Sequence, residues 1–155
     1  MNSFLVFLLK LSYNAFMALL RVIDPERCVG CQLCMFACHR HFGGGGLGKA
    51  TIFVRSRGGV SRGFAIIVCR ACKEPPCAAV CPTDALKIRK EGGVILQSHK
   101  CIGCGNCKDA CTIGAVFWND DANKPAICTH CGYCAQYCPH GVIALVKKEK
   151  SNVKS

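Results

Sequence analysis

The sequence predicts an α+β fold in which short strands and helices carry long, cysteine-bearing loops, and three observations predict it. Sixteen cysteines fall into four clustered groups. Short apolar runs bounded by glycine, proline and polar residues separate those groups and read as strands rather than long helices. Divided among four such units, the 155 residues leave each unit too small to bury a conventional apolar core.

The cysteine spacing says what fills the loops instead. Cys101, Cys104, Cys107 and Cys111 follow the rule C-x2-C-x2-C-x3-C, and so do Cys28, Cys31, Cys34 and Cys38, and Cys128, Cys131, Cys134 and Cys138. The remaining group, Cys69, Cys72, Cys77 and Cys81, has a longer middle gap holding Pro75 and Pro76. Three thiolates so close in sequence can wrap one face of a cuboid iron–sulfur cluster, because small residues such as Gly103 and Gly105 let backbone amides approach the sulfurs. In the bacterial ferredoxin run the fourth cysteine ligates the other cluster of a pair, and a proline follows it. Pro82 and Pro139 stand in that place here, with Thr112 and His39 in the other two groups. At four thiols per cluster, sixteen predict four 4Fe-4S clusters. The α+β fold is then two ferredoxin-like modules of two 4Fe-4S clusters each, with loops wrapped around the clusters.

Other uses of cysteine fit less well. A disulfide scaffold is the usual reading of a cysteine-rich chain, but it does not call for four similar quartets. Structural zinc takes two separated C-x2-C pairs or mixed Cys and His, and the third cysteine of each run has no place there. The formal charge of +11 counts ligand thiols as neutral; four thiolates around a 2+ core carry about −2, which brings the loaded chain to roughly +3. Arg70, Lys73, Lys100 and Lys108 then read as counter-charge beside the clusters. No basic stripe with interleaved aromatics is present, so nucleic acid is not an expected partner. Folding is expected to be coupled to cluster insertion.

In chain order, residues 1–20 form an apolar extension broken by Lys10, Ser12 and Asn14. The uninterrupted run Phe4 to Leu9 is far shorter than the ~18 residues of a transmembrane helix. The expectation is an element docked on a partner, weighed against a membrane anchor and an over-long start with Met17 as the natural first residue. Residues 21–146 form the polyferredoxin domain: an outer module of 21–50 with 124–146, an inner module of 64–118, and an inserted hairpin over 51–68. A short strand from Leu19 to Ile23 leads through Asp24-Pro25 to the first group. Gly43 to Thr51 nearly spells a phosphate-binding loop, but Ala50 replaces the hydroxyl residue and a strand follows where a helix is needed, so a flexible turn is expected. Thr51 to Arg55 and Phe64 to Val68 read as paired strands, as do Ala85 to Arg89 and Val94 to Leu96 around the turn Glu91-Gly92-Gly93. Ala115 to Trp118, a polar turn from Asn119 to Lys124 and a last strand from Val142 to Val146 complete the domain. Residues 147–155 are a polar tail.

Spacing leaves the pairing of groups open. Groups one and two could share clusters, and three and four likewise; or the inner groups pair and the outer two close around them. His39, His41, His99, His130 and His140 flank the cysteines, but with every cluster supplied with four thiols they are expected to support the loops or lie on the surface. Asp84, Asp109, Asp120 and Asp121 fall at caps and turns. Phe117 and Trp118 are expected to pack beside a cluster. No catalytic constellation is visible.

The run Cys69-Arg-Ala-Cys72-Lys-Glu-Pro-Pro-Cys77-Ala-Ala-Val-Cys81-Pro, flanked by the other groups, resembles the four-cluster iron–sulfur subunits of molybdenum and tungsten oxidoreductases, the dimethyl sulfoxide reductase iron–sulfur subunit family, over roughly residues 19 to 146. The resemblance implies nested pairing. Cys28, Cys31, Cys34 and Cys138 would hold one cluster, and Cys128, Cys131, Cys134 and Cys38 a second. Cys69, Cys72, Cys77 and Cys111 would hold a third, and Cys101, Cys104, Cys107 and Cys81 a fourth, all in a row. It also implies a larger catalytic subunit with a tungsten or molybdenum pterin, a soluble ferredoxin as carrier, a cytoplasmic heterodimer, and no membrane contact. The compact Cys131-Gly-Tyr-Cys134 segment, where related branches carry a long insert, is more similar to the small subunit of a tungsten aldehyde oxidoreductase. The alternatives are a free polyferredoxin shuttle, or the equivalent subunit of a hydrogenase, formate dehydrogenase or carbon monoxide dehydrogenase.

Overall fold

Eight short strands form four separate two-stranded antiparallel ladders in the computed structural model, which describes residues 18–58 and 63–147. β1 (Ala18–Val22) pairs with β8 (Ile143–Lys147), Ala18 opposite Lys147 and Val22 opposite Ile143, so the two ends of the described chain close on each other. β2 (Ile52–Ser56) and β3 (Phe64–Val68) form the expected hairpin. Ile52 and Val54 alternate inward along β2, as period-2 patterning requires. Phe53, on the opposite face, meets Phe117 with ring centroids 4.5 Å apart.

β4 (Leu86–Ile88) and β5 (Val94–Leu96) form a second expected hairpin. Its turn needs two left-handed residues, Gly92 at φ +100° and Gly93 at +76°, a conformation open to glycine at little cost. β6 (Val116–Asn119) pairs with β7 (Lys124–Ile127) across the polar turn expected from Asn119 to Lys124, and β7 is a strand that the sequence reading does not anticipate. Pro125 hides it from sequence reasoning. In a two-stranded ladder, however, each strand has a free edge, and a proline is tolerated there.

Three α-helices are described: α1 (Leu33–His41), α2 (Pro76–Ala79) and α3 (Asn106–Asp109). Each follows or contains the third cysteine of its group, while the fourth group has a 3-10 turn, Tyr133–Tyr137, in that position. The architecture is α+β, with strands predominating.

The apolar interior is divided. A larger buried cluster gathers Leu20, Met35, Ile52, Val54, Val142 and Ile143 with Cys38, Cys128 and Cys134. A smaller one gathers Leu86, Val94 and Val116 with Cys77 and Cys107. Thiols are therefore part of both interiors. Leu20 is 1% exposed, so Leu20→Ala is expected to destabilise the fold by about 2–5 kcal/mol, read as a lower temperature of visible-band bleaching on heating.

Ala18, Leu19 and Leu20 are buried strand residues paired with β8. The rest of the apolar stretch, 1–17, and most of the polar tail, 148–155, lie outside the described residues. Among the described residues no helix is long and apolar enough to cross a membrane.

Candidate metal centres

Each cysteine loop is bent around its second thiol by left-handed residues. The residue before that cysteine has positive φ in every group: Gly30 (72°), Ala71 (53°), Gly103 (72°) and His130 (60°). The residue after it does so in three: Gln32 (60°), Gly105 (84°) and Gly132 (77°). In the second group Pro75 and Pro76 lead straight into α2 instead. Such alternation turns successive N–H groups toward one concavity, a nest for negative charge. It leaves Cys31, Cys72, Cys104 and Cys131, the second thiol of each group, exposed.

Gly103 tests whether this bend matters. A Cβ there would stand 2.5 Å from Asn123 Nδ2 and 2.7 Å from the Asn123 carbonyl, whereas nothing lies within 4 Å of one at Gly105. Gly103→Ala is expected to lose iron faster than Gly105→Ala on mild chelation, since both carry a left-handed strain of about 1–3 kcal/mol but only the first adds a clash.

The fourth thiol of each group receives a backbone hydrogen bond. Ala85 N–H donates to Cys81 Sγ, Ala115 N–H to Cys111 Sγ and Val142 N–H to Cys138 Sγ, each over 3.3 Å and from four residues on. Asp84, Gly114 and Gly141, all with positive φ, make the turns that aim these donors. In the first group the chain continues along α1 past Cys38, and the equivalent donor comes from the Thr51 N–H at 3.4 Å, with the Thr51 hydroxyl 3.3 Å from the same sulfur. The threonine that closes the near-miss phosphate loop thus serves a thiol, a role with no local signal in the sequence.

Three cavities are each lined by three thiols of one group and a fourth from another. Cys28, Cys31, Cys34 and Cys138 line one cavity, and Cys81, Cys101, Cys104 and Cys107 another. Cys69, Cys72, Cys77 and Cys111 line a cavity of about 160 Å³. Cys38 and Cys131 are electrostatic neighbours of both Cys128 and Cys134. Between quartets, Cys34 is felt by Cys134, Cys69 by Cys128 and Cys107 by Cys77.

Burial, with neighbouring thiols adding to it, pushes Cys34 and Cys77 up to about 11 and Cys128 up to about 12, and raises Cys134 further. Cys81 moves the other way: burial opposes ionisation, but the Thr83, Ala85 and Leu86 N–H groups and the Thr83 hydroxyl outweigh it. Crowded buried thiols of this kind ionise together only around positive charge. Among the described residues no three His, Cys, Asp or Glu side chains are set to hold a single metal ion. Quartets spread around a void, with N–H groups aimed at the sulfurs, suit a larger cationic core, and a 4Fe-4S cluster is such a core.

The flanking residues divide. Trp118 lies beside the Cys101 quartet, as expected, while Phe117 packs on Phe53. Asp121 pairs with Lys49, whose hydrogen bond and charge hold its carboxyl below the ordinary range. His41 stacks on Tyr133 at 4.5 Å, and Tyr133 shares a 2.9 Å hydrogen bond with Tyr137. His39 and His130 are buried, and burial, with Arg89 and Arg21 nearby, lowers His130 to about 4.

The fold and its thiols define an iron–sulfur protein. Residues 61–148 match the model of the 4Fe-4S dicluster domain, and residues 21–38 that of a 4Fe-4S binding domain. The chain belongs to the 4Fe-4S dicluster domain family. It is 37% identical over 94 residues to the formate dehydrogenase iron-sulfur subunit of Wolinella succinogenes, covering 59% of this chain and 47% of that one. It is 32% identical over 126 residues to the beta subunit of the NADH-dependent phenylglyoxylate dehydrogenase of Aromatoleum evansii, covering 77% and 28%. A ferredoxin of Methanocaldococcus jannaschii is 32% identical over 133 residues, covering 83% and 80%. The chain thus spans half or less of the length of the two dehydrogenase subunits.

Proposed function

We propose that this chain is an electron-transfer subunit whose four quartets, ligated as grouped above, hold four 4Fe-4S clusters between a larger catalytic subunit and a soluble carrier such as ferredoxin. The observation that carries this reading is the gathering of three thiols from one group and a fourth from another around a shared cavity, at three places. With the neighbouring thiols between sites, we read the centres as a file that runs from the Cys28 site through the Cys128 and Cys69 sites to the Cys101 site. A cluster bound in such a site takes up and returns one electron at a time. The chain's own residues fix the spacing, bury the third thiol of three groups, Cys77, Cys107 and Cys134, and donate hydrogen bonds to sulfur, which sets the potentials.

The two-module reading adds to this. The inner quartets draw on residues 69–111, and the outer quartets on both ends of the chain, closed by the β1–β8 ladder. At the two ends of the file, Val29 and Ile102 are exposed apolar residues next to first-group and third-group cysteines, suited to contact with a partner.

The kinship with a formate dehydrogenase iron–sulfur subunit favours a molybdenum or tungsten pterin enzyme as the catalytic partner. Within that class, the compact fourth group favours a tungsten aldehyde oxidoreductase in the cytoplasm. A second reading, a free polyferredoxin shuttle, is favoured by the ferredoxin relative matched over 80% of its length. Anaerobic purification from the native host with metal analysis separates them. Co-elution of a large subunit carrying tungsten or molybdenum, with iron near sixteen per chain, supports the first; a lone iron protein supports the shuttle and sinks the first.

A further inference from the structure

His130 occupies a position that its surroundings do not explain by packing alone. The equivalent slot before the second cysteine holds Gly30, Ala71 and Gly103 in the other groups, while His130 carries a full side chain at φ 60°. Left-handed backbone is strained for a residue of that size and persists where the surroundings impose it. The imidazole is turned inward and is 2% exposed.

The two ring nitrogens have different partners. Nδ1 accepts the Leu20 N–H of β1 at 3.2 Å, so it carries the lone pair and Nε2 carries the proton. Nε2 is buried with no hydrogen-bond partner in the protein. It lies 3.6 Å from the point a Cβ on Gly93 would occupy. Gly93 is in the wall of the cavity lined by Cys69, Cys72, Cys77 and Cys111, and its N–H donates to the Cys72 carbonyl at 3.0 Å. On the other side, the His130 backbone N–H donates to Cys128 Sγ at 3.4 Å. Around the ring, Arg21 and Arg89 are tied to the carbonyls of Arg70 and Thr129.

We propose that His130 is a positioning residue between the Cys128 centre and the Cys69 centre: its backbone holds the Cys128 sulfur, and its Nε2–H, which has no acceptor among the protein's own atoms, would donate to sulfur of the cluster bound at the adjoining Cys69, Cys72, Cys77, Cys111 site. The inference rests on the cluster reading above. A donor to sulfur favours the more negative, reduced form and raises that centre's potential. His130 keeps its proton throughout; only the strength of its hydrogen bond changes with the electron.

The test uses the full chain purified anaerobically. His130→Asn leaves a carboxamide oxygen near the Nδ1 position for Leu20, and asparagine tolerates left-handed backbone, but the distal donor is gone. His130→Gln returns an N–H at the distal position. Iron and sulfide analysis comes first, and a wild-type chain without iron would overturn the cluster reading itself. With iron in place, redox titration followed by electron paramagnetic resonance should show one potential lowered in the Asn variant by about a tenfold change in the one-electron equilibrium constant, ~59 mV. The Gln variant should recover most of that shift. Pulsed resonance on reduced protein labelled with 15N-histidine should detect one imidazole nitrogen coupled to a centre. Four unmoved potentials in a fully loaded Asn variant, or no coupled nitrogen in the wild type, would overturn the proposal. If the Asn variant fails to load iron, the wild-type nitrogen coupling alone decides between the two.

Discussion

Replacing Cys138 with alanine should empty the centre lined by Cys28, Cys31 and Cys34 while the centre lined by Cys128, Cys131 and Cys134 stays loaded. Cys138 follows Cys134 in sequence but shares its cavity with the first group. The substitution removes one of four thiols and the sulfur that receives the Val142 N–H. Iron should fall from about sixteen to about twelve per chain, with one reduced-state resonance signal lost. Cys38→Ala is the reciprocal experiment and should empty the Cys128 centre. If Cys138→Ala instead abolishes the centre of its own group, the exchange between first and last groups is wrong and the file with it.

Stripping iron should unfold the chain. Cys38, Cys128 and Cys134 belong to the larger buried cluster, and Cys77 and Cys107 to the smaller, so the thiols are not appended to a core that exists without them. With the metal gone they are left protonated around voids, and four isolated two-stranded ladders are marginal in water. Anaerobic treatment with an iron chelator should therefore bleach the visible band and collapse the far-ultraviolet circular dichroism together. Retention of the folded spectrum after complete iron loss would show that the apolar clusters suffice by themselves.

The sequence made the thiols and the hairpins legible because both are local patterns. Spacing at fixed intervals identifies the four groups, and alternating β-branched residues around glycine turns identify β2–β3 and β4–β5. Less local features escaped. α1 runs through Cys38, His39, Arg40 and His41, a stretch without an apolar period, and forms because the chain must present Cys34 and Cys38 one turn apart. β7 was masked by Pro125. The donors to Cys38 come from Thr51, thirteen residues on, where nothing in the intervening glycines announces a thiol. His130 looked like one of five flanking histidines, and its burial depends on β1, 110 residues away.

The ladder between β1 and β8 also orders events during synthesis. A nascent chain emerging from the ribosome exposes Cys69 to Cys111 well before Cys138, so the inner two centres have all their ligands while the outer two still lack theirs. β1 must likewise wait for Ile143–Lys147 before it finds its partner. On the ligation proposed above, loading runs from the middle outward, and a chain ended after Cys111 but before Cys128 would bind about half the iron of the full chain.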